Sequence, residues 1–249
     1  MNNPVSSSAV ISRAMILAAG LGTRFRPWTE RHPKALVPVN GKSLLQRNIE
    51  YLQVYGIREV VVNVHHFAGQ IIDALVVNDG WGSRFSISDE TDAVLETGGG
   101  LKKAASYLEG SPFVLLNVDI LTDMDLSAMI ADHFRHRPLA TLAVTDRTTS
   151  RYFLFDDHDE LCGWRNATTG EERMARTPVT TAVQKAFSGI HVIDPSIFKL
   201  MNLNGKFSVV DLYLDLAADQ PIRAHDHSRS KLIDVGRPES AEAAERLFP

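Results

Sequence analysis

Cysteine is nearly absent from this 249-residue sequence, in which Cys162 is the only one. A single thiol forms no internal disulfide and builds no thiolate metal cage, so we expect a reducing compartment, namely the cytoplasm. A run of about 18 apolar residues is also missing, which argues against a transmembrane helix and a membrane partner. The first 13 residues lack the basic start and apolar centre of a signal peptide. They are expected to form a flexible polar extension.

An excess of charge of one sign is missing as well. Lysine and arginine number 26, aspartate and glutamate 30, and the net charge is -4. A protein that binds nucleic acid through its phosphates needs a basic surface, so we expect no nucleic-acid partner. Apolar residues make up 44% of the chain, which is enough to fill a proper core. The sequence predicts a single folded domain over residues 14–249.

Short apolar runs alternate with helical patterns along the chain, which is typical of an α/β fold with a mainly parallel, Rossmann-like sheet flanked by helices. Strands are predicted at 14–17, 59–64, 84–88, 113–116, 140–145, 151–155, 187–193 and 231–235. Helices are predicted from a capping box at 43–46 to a stop at Gly56, at 68–77, 101–108 and 209–218, and from 238 onward. A loop-rich insert is predicted around 166–178.

The loop after the first predicted strand carries the strongest functional signal, and residues 17–34 read LAAGLGTRFRPWTERHPK. Its spacing matches neither a P-loop nor the dinucleotide-binding fingerprint. Gly20 and Gly22 let the backbone approach an anion closely, with N–H groups directed at its oxygens. Arg24 adds a planar guanidinium and Lys34 a point charge. Two cations on one glycine-rich loop indicate polyphosphate binding.

This loop resembles the opening signature of the sugar-1-phosphate nucleotidyltransferases, L-A-A-G-x-G-T-R-x-x-P-x-T followed by Pro-Lys. The resemblance continues through residues 95–100, Asp119, residues 187–190 and residues 233–236, and it covers the chain after residue 13. It implies a fold of the nucleotide-diphospho-sugar transferase type. Within the family, the sequence is most similar to N-acetylmuramate-1-phosphate uridylyltransferases, with mannose-1-phosphate guanylyltransferases and phosphocholine cytidylyltransferases as neighbours.

The resemblance implies that the protein transfers a nucleotidyl group from an NTP, UTP or GTP being favoured, to a sugar 1-phosphate, with Mg²⁺ as cofactor. The attacking phosphate is already anionic, so the reaction needs charge neutralisation and alignment instead of a general base. A phosphocholine cytidylyltransferase-like enzyme is one alternative. A nucleotide-binding regulator without turnover is another, although Arg24, Lys34 and the carboxylates are all present. We expect a monomer or a homodimer.

The resemblance also implies roles for individual residues. The expected catalytic residues are Arg24, Lys34 and Asp119. The expected metal ligands are Asp119 and Asp234, since Mg²⁺ prefers one or two carboxylates together with substrate oxygens. The expected nucleotide-binding residues are Leu17, Ala18, Ala19, Gly20, Gly22, Thr23, Arg24, Lys34, Glu96 and Gly98. The expected substrate-binding residues are Thr97, Asn117, Lys185 and Gly189.

Two positions depart from the family pattern. Val118 stands where many members have a glycine directly before the metal aspartate, which is expected to crowd the substrate phosphate or shift Asp119. The Glu-Lys-Pro tripeptide, whose lysine holds the sugar phosphate in many members, does not occur in this chain. Lys185 is the substitute that the sequence suggests.

Overall fold

The computed structural model describes residues 10–178 and 181–249. Fourteen strands are defined there. They are β1 Arg13–Leu17, β2 Pro38–Val39, β3 Lys42–Ser43, β4 Glu59–Val64, β5 Arg84–Asp89, β6 Phe113–Asn117, β7 Ile120–Thr122, β8 Ala140–Thr145, β9 Arg151–Phe155, β10 Leu161–Asn166, β11 Glu172–Met174, β12 Val183–Ile193, β13 Ile222–Asp226 and β14 Leu232–Asp234. The α-helices are α1 Leu44–Val54, α2 Ala68–Val77, α3 Glu96–Lys103, α4 Ala105–Leu108, α5 Leu126–His136, α6 Ile197–Leu200, α7 Val209–Leu216 and α8 Pro238–Leu247.

Ten of these strands form one sheet. Strands β5, β4, β1 and β6 are parallel neighbours in that order. Strand β12 runs antiparallel to both β6 and β8, and β13 is parallel to β8. All strands of this main region except β12 therefore point the same way, which confirms the predicted mainly parallel α/β fold. Strands β9, β10 and β11 extend the sheet in antiparallel fashion from the first half of β12.

Helices cover both faces of the sheet because the buried strands are apolar on both sides. In β1, Ala14 and Ile16 pack in the core that includes α1 and α2, whereas Met15 and Leu17 pack in the opposite core with α7. Such doubly covered strands read as continuous apolar runs. Helix α1 begins at the predicted cap, where the Ser43 hydroxyl accepts a hydrogen bond from the Gln46 N–H at 3.1 Å.

Most predicted elements match the structure to within a few residues, and those at 59–64, 68–77, 140–145 and 151–155 match β4, α2, β8 and β9. The helix predicted at 101–108 is wrong in its bounds. Helix α3 already begins at Glu96, and the helical conformation is interrupted at Ala104 before α4 begins. Helix α5 was not predicted from the sequence. The loop-rich insert predicted at 166–178 contains the short strand β11.

The predicted N-terminal extension is too long at its inner end. Ile11 is 2% exposed and packs in the core, and the Ser12 carbonyl accepts a hydrogen bond from the Glu59 N–H. Strand β1 already includes Arg13. Residues 11–13 thus belong to the folded chain, while residues 1–9 of the predicted extension lie outside the described residues.

Candidate functional site

A polar cleft lies where β1 and β6 end, at the carboxyl edge of the parallel strands. Ligands bind at this edge in open α/β sheets. The cleft encloses about 290 Å³ and is formed by the glycine loop, the end of β6 and the segment after β14. Its lining residues are Leu17, Ala18, Gly20, Gly22, Thr23, Arg24, Lys34, Thr97, Asn117, Val118, Asp119 and Gly236. Most of the site residues predicted from the sequence thus lie together.

The glycine loop is anchored by a buried asparagine, Asn63, that was not predicted as a site residue. The Asn63 side-chain oxygen accepts the N–H groups of Ala18 at 2.6 Å and Ala19 at 3.3 Å. The N–H groups of Gly20 and Gly22 donate to no protein acceptor among residues 10–178 and 181–249. Gly22 adopts a φ of 60°, and a Cβ there would lie 2.9 Å from the Thr29 methyl. The loop therefore presents free backbone donors in a shape that favours glycine.

Lys34 forms an ion pair with Asp119 at the base of the cleft. Both side chains are largely removed from solvent, with exposures of 11% and 20%. Lys34 starts a short 3₁₀ helix, Lys34–Leu36, which follows the extended Pro33. The Val118 N–H donates to the Leu17 carbonyl, so the chain before Asp119 is fixed against the glycine loop. The structure thus brings together the predicted lysine and aspartate.

Asp119 and Asp234 lie on neighbouring segments, because β7 and β14 pair antiparallel with Asp234 opposite Ile120. The Val235 N–H donates to the Asp119 carbonyl at 2.8 Å. Burial and then the Asp119 carboxylate raise the pKa of Asp234, and three nearby cations oppose that rise: Lys34, Arg24 and Arg147. The predicted pair of acidic residues therefore shares one edge of the cleft.

Gly236 brings Arg24 into the same cluster. A Cβ at Gly236 would lie 2.9 Å from the Asp234 carboxylate and 3.2 Å from the Arg24 guanidinium. The two side chains therefore pack over a backbone position that has no room for a side chain. Arg24 is exposed at the cleft, where its charge is accessible to an anion.

The donor set suits Mg²⁺, which takes hard oxygen ligands and keeps open positions for water and substrate. Asp119 lines the cleft together with the glycine loop, and the Asp234 carboxylate lies at its edge next to Gly236. A group of three or more His, Cys, Asp or Glu residues that would enclose a metal is absent from residues 10–178 and 181–249. An ion bound here would therefore depend on oxygens of the substrate as well.

A second, less polar pocket of about 340 Å³ adjoins the first and shares Leu17, Gly20 and Thr97 with it. Its other lining residues are Ala19, Asn63, Glu90, Val94, Glu96 and Ser208. Glu90 is 1% exposed and directly follows β5; one of its oxygens accepts from Asn63 at 2.8 Å, and Oε2 has no partner among the described residues. Burial raises the pKa of Glu90. Glu90 was not predicted as a site residue. The signal available in the sequence was its position as a polar residue just after a predicted strand.

The glycines of residues 98–100 have a packing role, and Gly98, for which a nucleotide contact is predicted, lines neither pocket. A Cβ at Gly98 would lie 2.5 Å from the Phe207 ring, and the Gly98 N–H donates to the Phe207 carbonyl. A Cβ at Gly99 would lie 2.2 Å from the Gly205 carbonyl oxygen. Thr97, predicted to bind substrate, lines both pockets while its hydroxyl accepts from the Val209 N–H.

The residues predicted to bind the substrate do not all lie at the cleft. Lys185 lines neither pocket, because its ammonium binds the carboxylates of Asp146 at 2.5 Å and Asp226 at 2.6 Å. Gly189 sits in an irregular stretch of β12 with a φ of 74°, and a Cβ there would lie 2.7 Å from the Asn117 amide. Asn117 itself lines the cleft. The predicted Asn117 and Gly189 are adjacent, whereas Lys185 is committed to its two aspartates.

A model of the family described as nucleotidyl transferase matches residues 13–156. The chain belongs to the nucleotidyl transferase family. This confirms the resemblance seen in the glycine loop. The family member from Caulobacter vibrioides named N-acetylmuramate alpha-1-phosphate uridylyltransferase is 33% identical over 243 residues, which cover 93% of this chain and 95% of that protein. A mannose-1-phosphate guanyltransferase of Yarrowia lipolytica is 27% identical over 91% of this chain, but only 61% of its own length is matched.

Solved structures show the same nucleotidyl transferase fold. HddC from Yersinia pseudotuberculosis, complexed with GMP-PN, has a TM-score of 0.76 at 24% identity and covers 96% of this chain and 100% of that one. A UDP-glucose pyrophosphorylase complexed with UDP-glucose has a TM-score of 0.75 at 17% identity and covers 96% of this chain and 98% of that one.

Among the described residues, the helices are all too short or too polar to cross a membrane.

Proposed function

We propose that this nucleotidyl transferase transfers a nucleotidyl group from an NTP to a sugar 1-phosphate, releasing pyrophosphate. The observation that carries the proposal is the convergence of Arg24, Lys34 and Asp119 on one cleft beside free backbone N–H groups, with Asp234 at its edge next to Gly236. The names of the relatives from Caulobacter vibrioides and Yarrowia lipolytica support a sugar 1-phosphate as acceptor.

The chemistry asks the protein to align two anions. A phosphate oxygen of the acceptor forms a bond to the α-phosphorus, and the bond from that phosphorus to pyrophosphate breaks. The leaving pyrophosphate takes the electron pair, and no proton has to move. The free N–H groups of Gly20 and Gly22 cradle the triphosphate, and Arg24 and Lys34 neutralise the charge that grows on it.

We further propose Mg²⁺ as the cofactor. Asp119 and Asp234 would hold it, and when bound it would stabilise the negative charge on the phosphate oxygens. Lys34 contacts Asp119 directly, so its ammonium lies beside one of the two ligands. The magnesium requirement is tested by adding EDTA and then restoring the metal.

The second pocket is proposed to hold the base, and Glu90 supports UTP or GTP. Its unpartnered Oε2 is a buried acceptor in a largely apolar pocket. Uracil and guanine each carry a ring N–H in the middle of their pairing edge, and a carboxylate oxygen can accept it. Cytosine carries a lone pair at that ring nitrogen, which the carboxylate repels. The Oε2 atom of Glu90 is therefore expected to accept a hydrogen bond from the base when UTP or GTP binds.

The decisive experiment measures pyrophosphate release with Mg²⁺ over a panel of UTP, GTP, CTP and dTTP. Each is combined with N-acetylmuramate 1-phosphate, mannose 1-phosphate, glucose 1-phosphate or phosphocholine. We expect release only when both an NTP and a sugar 1-phosphate are present. Tight NTP binding without turnover for every pair would favour a regulatory protein. Turnover only with CTP and phosphocholine would favour the cytidylyltransferase alternative.

Base selection is tested with Glu90→Gln. Loss of a hydrogen bond to a charged group is expected to lower kcat/KM for the preferred NTP by about 10- to 100-fold, with a smaller effect on CTP. Glu172→Gln is the matched control, since Glu172 is an exposed glutamate of β11 that lines neither pocket. Equal effects of the two substitutions would contradict the assigned role of Glu90.

A further inference from the structure

The loop between β8 and β9 carries an arginine whose charge is not neutralised by a carboxylate. Arg147 is exposed, and its Nη2 donates to the Phe187 carbonyl at 2.8 Å. Among residues 10–178 and 181–249 it forms no ion pair with an aspartate or glutamate. A guanidinium has five N–H groups in a fixed planar arrangement. The contact with the Phe187 carbonyl therefore leaves other N–H groups of Arg147 available to a ligand.

Lys185 fixes the loop that carries Arg147. Its ammonium joins Asp146, next to Arg147 in the chain, to Asp226 at the end of β13. The Asp146 N–H also donates to the Ser228 hydroxyl at 2.9 Å. These contacts tie the end of β8 to β12 and to the segment after β13. Lys185 is thus a positioning residue, and its charge is already neutralised by two carboxylates.

Arg147 contacts β12 close to residues that border the cleft. Its partner Phe187 lies two residues before Gly189, and a Cβ at Gly189 would lie 3.1 Å from Ile120. Ile120 in turn pairs with Asp234. The same Cβ would lie 2.7 Å from the side-chain amide of Asn117, which lines the cleft, so the loop that carries Arg147 adjoins the cleft.

We propose that Arg147 binds the phosphate of the acceptor, the role for which the sequence had suggested Lys185. This inference rests on the proposed function. Arg24 and Lys34 lie with the glycine loop, where the NTP is proposed to bind, so a third cation on the adjoining β8–β9 loop would bring the second anion toward the α-phosphorus. A guanidinium suits this task because two of its N–H groups can bind two oxygens of one phosphate. One oxygen stays free to attack.

The test is steady-state kinetics of Arg147→Ala and Arg147→Lys with the most active pair of the substrate panel. We expect Arg147→Ala to raise the KM of the sugar 1-phosphate by about 10- to 100-fold and to leave the KM of the NTP within about two-fold. Arg147→Lys is expected to fall between, because it keeps the charge without the fork. Arg135→Ala is the matched control, since Arg135 is an exposed arginine of α5.

Calorimetric titration of the same sugar 1-phosphate into each protein gives a readout independent of turnover, and thermal melting verifies that the variants fold. An unchanged acceptor KM and unchanged acceptor binding in a folded Arg147→Ala protein would overturn this inference and leave the proposed function intact. An equal rise in the KM of NTP and acceptor would also overturn it. Absence of both turnover and acceptor binding in the unaltered protein would overturn the proposed function and this inference together.

Discussion

Replacing Lys34 with methionine tests how much the ion pair between Lys34 and Asp119 contributes to the stability of the fold. The substitution keeps most of the unbranched side chain and removes the ammonium that pairs with Asp119. Breaking a fully buried ion pair costs about 3–5 kcal/mol, because a charge is left desolvated. The pair is 11% and 20% exposed, so we expect a smaller loss, about 2–3 kcal/mol in the free energy of unfolding.

The double variant Lys34→Met with Asp119→Asn separates charge from packing. The neutral amide no longer needs the ammonium, and it no longer repels Asp234. We therefore expect the double variant to be more stable than Lys34→Met alone by about 1–2 kcal/mol. Urea unfolding near neutral pH, followed by circular dichroism with EDTA present, measures all four proteins of the cycle. Strictly additive losses would refute the coupling between Lys34 and Asp119.

Three further predictions concern the loop, the helix glycines and a buried histidine. Arg24→Ala is expected to lower kcat by about 10²- to 10³-fold. The control Arg26→Ala changes an exposed arginine two residues away and is expected to keep kcat near the unaltered value. Equal kcat values for the two variants would contradict this prediction. Gly99→Ala is expected to cost about 1–3 kcal/mol in urea unfolding, because its Cβ would meet a backbone oxygen, and Gly69→Ala in open space is expected to stabilise by roughly 0.5 kcal/mol. Burial lowers the pKa of His191 to about 3, so the unfolded chain takes up a proton first as the pH falls below about 6.5. Stability should then fall by up to about 1.4 kcal/mol per pH unit, and less steeply in His191→Phe; identical slopes would contradict the prediction.

Local sequence patterns were sufficient for the elements whose signals are short-range. The capping serine of α1, the apolar run of β4 and the periodicity of α2 each act within a few residues, and their bounds match the structure closely. The glycine loop was also recognisable, because its cations and glycines are spaced along one short segment. Such features depend on backbone geometry and neighbouring side chains, both of which are written in the local sequence.

Helix α3 shows why local patterns fail elsewhere. Three glycines in succession disfavour a helix on their own, since each costs about 1 kcal/mol relative to alanine. Here they are required, because Phe207 and Gly205 approach the helix too closely for any side chain at Gly98 or Gly99. That close approach comes from a segment about a hundred residues away, and no local pattern records it.

By itself, the sequence determined the α/β fold, the glycine loop with Arg24 and Lys34, and the two aspartates that follow apolar strands. Only the tertiary structure decided which cations remain available for a ligand. Lys185 and Arg147 are indistinguishable as isolated positive charges, yet one is neutralised by two carboxylates and the other is not. The reason is physical: the availability of a charge depends on partners brought within a few ångströms by folding, and those partners come from distant strands.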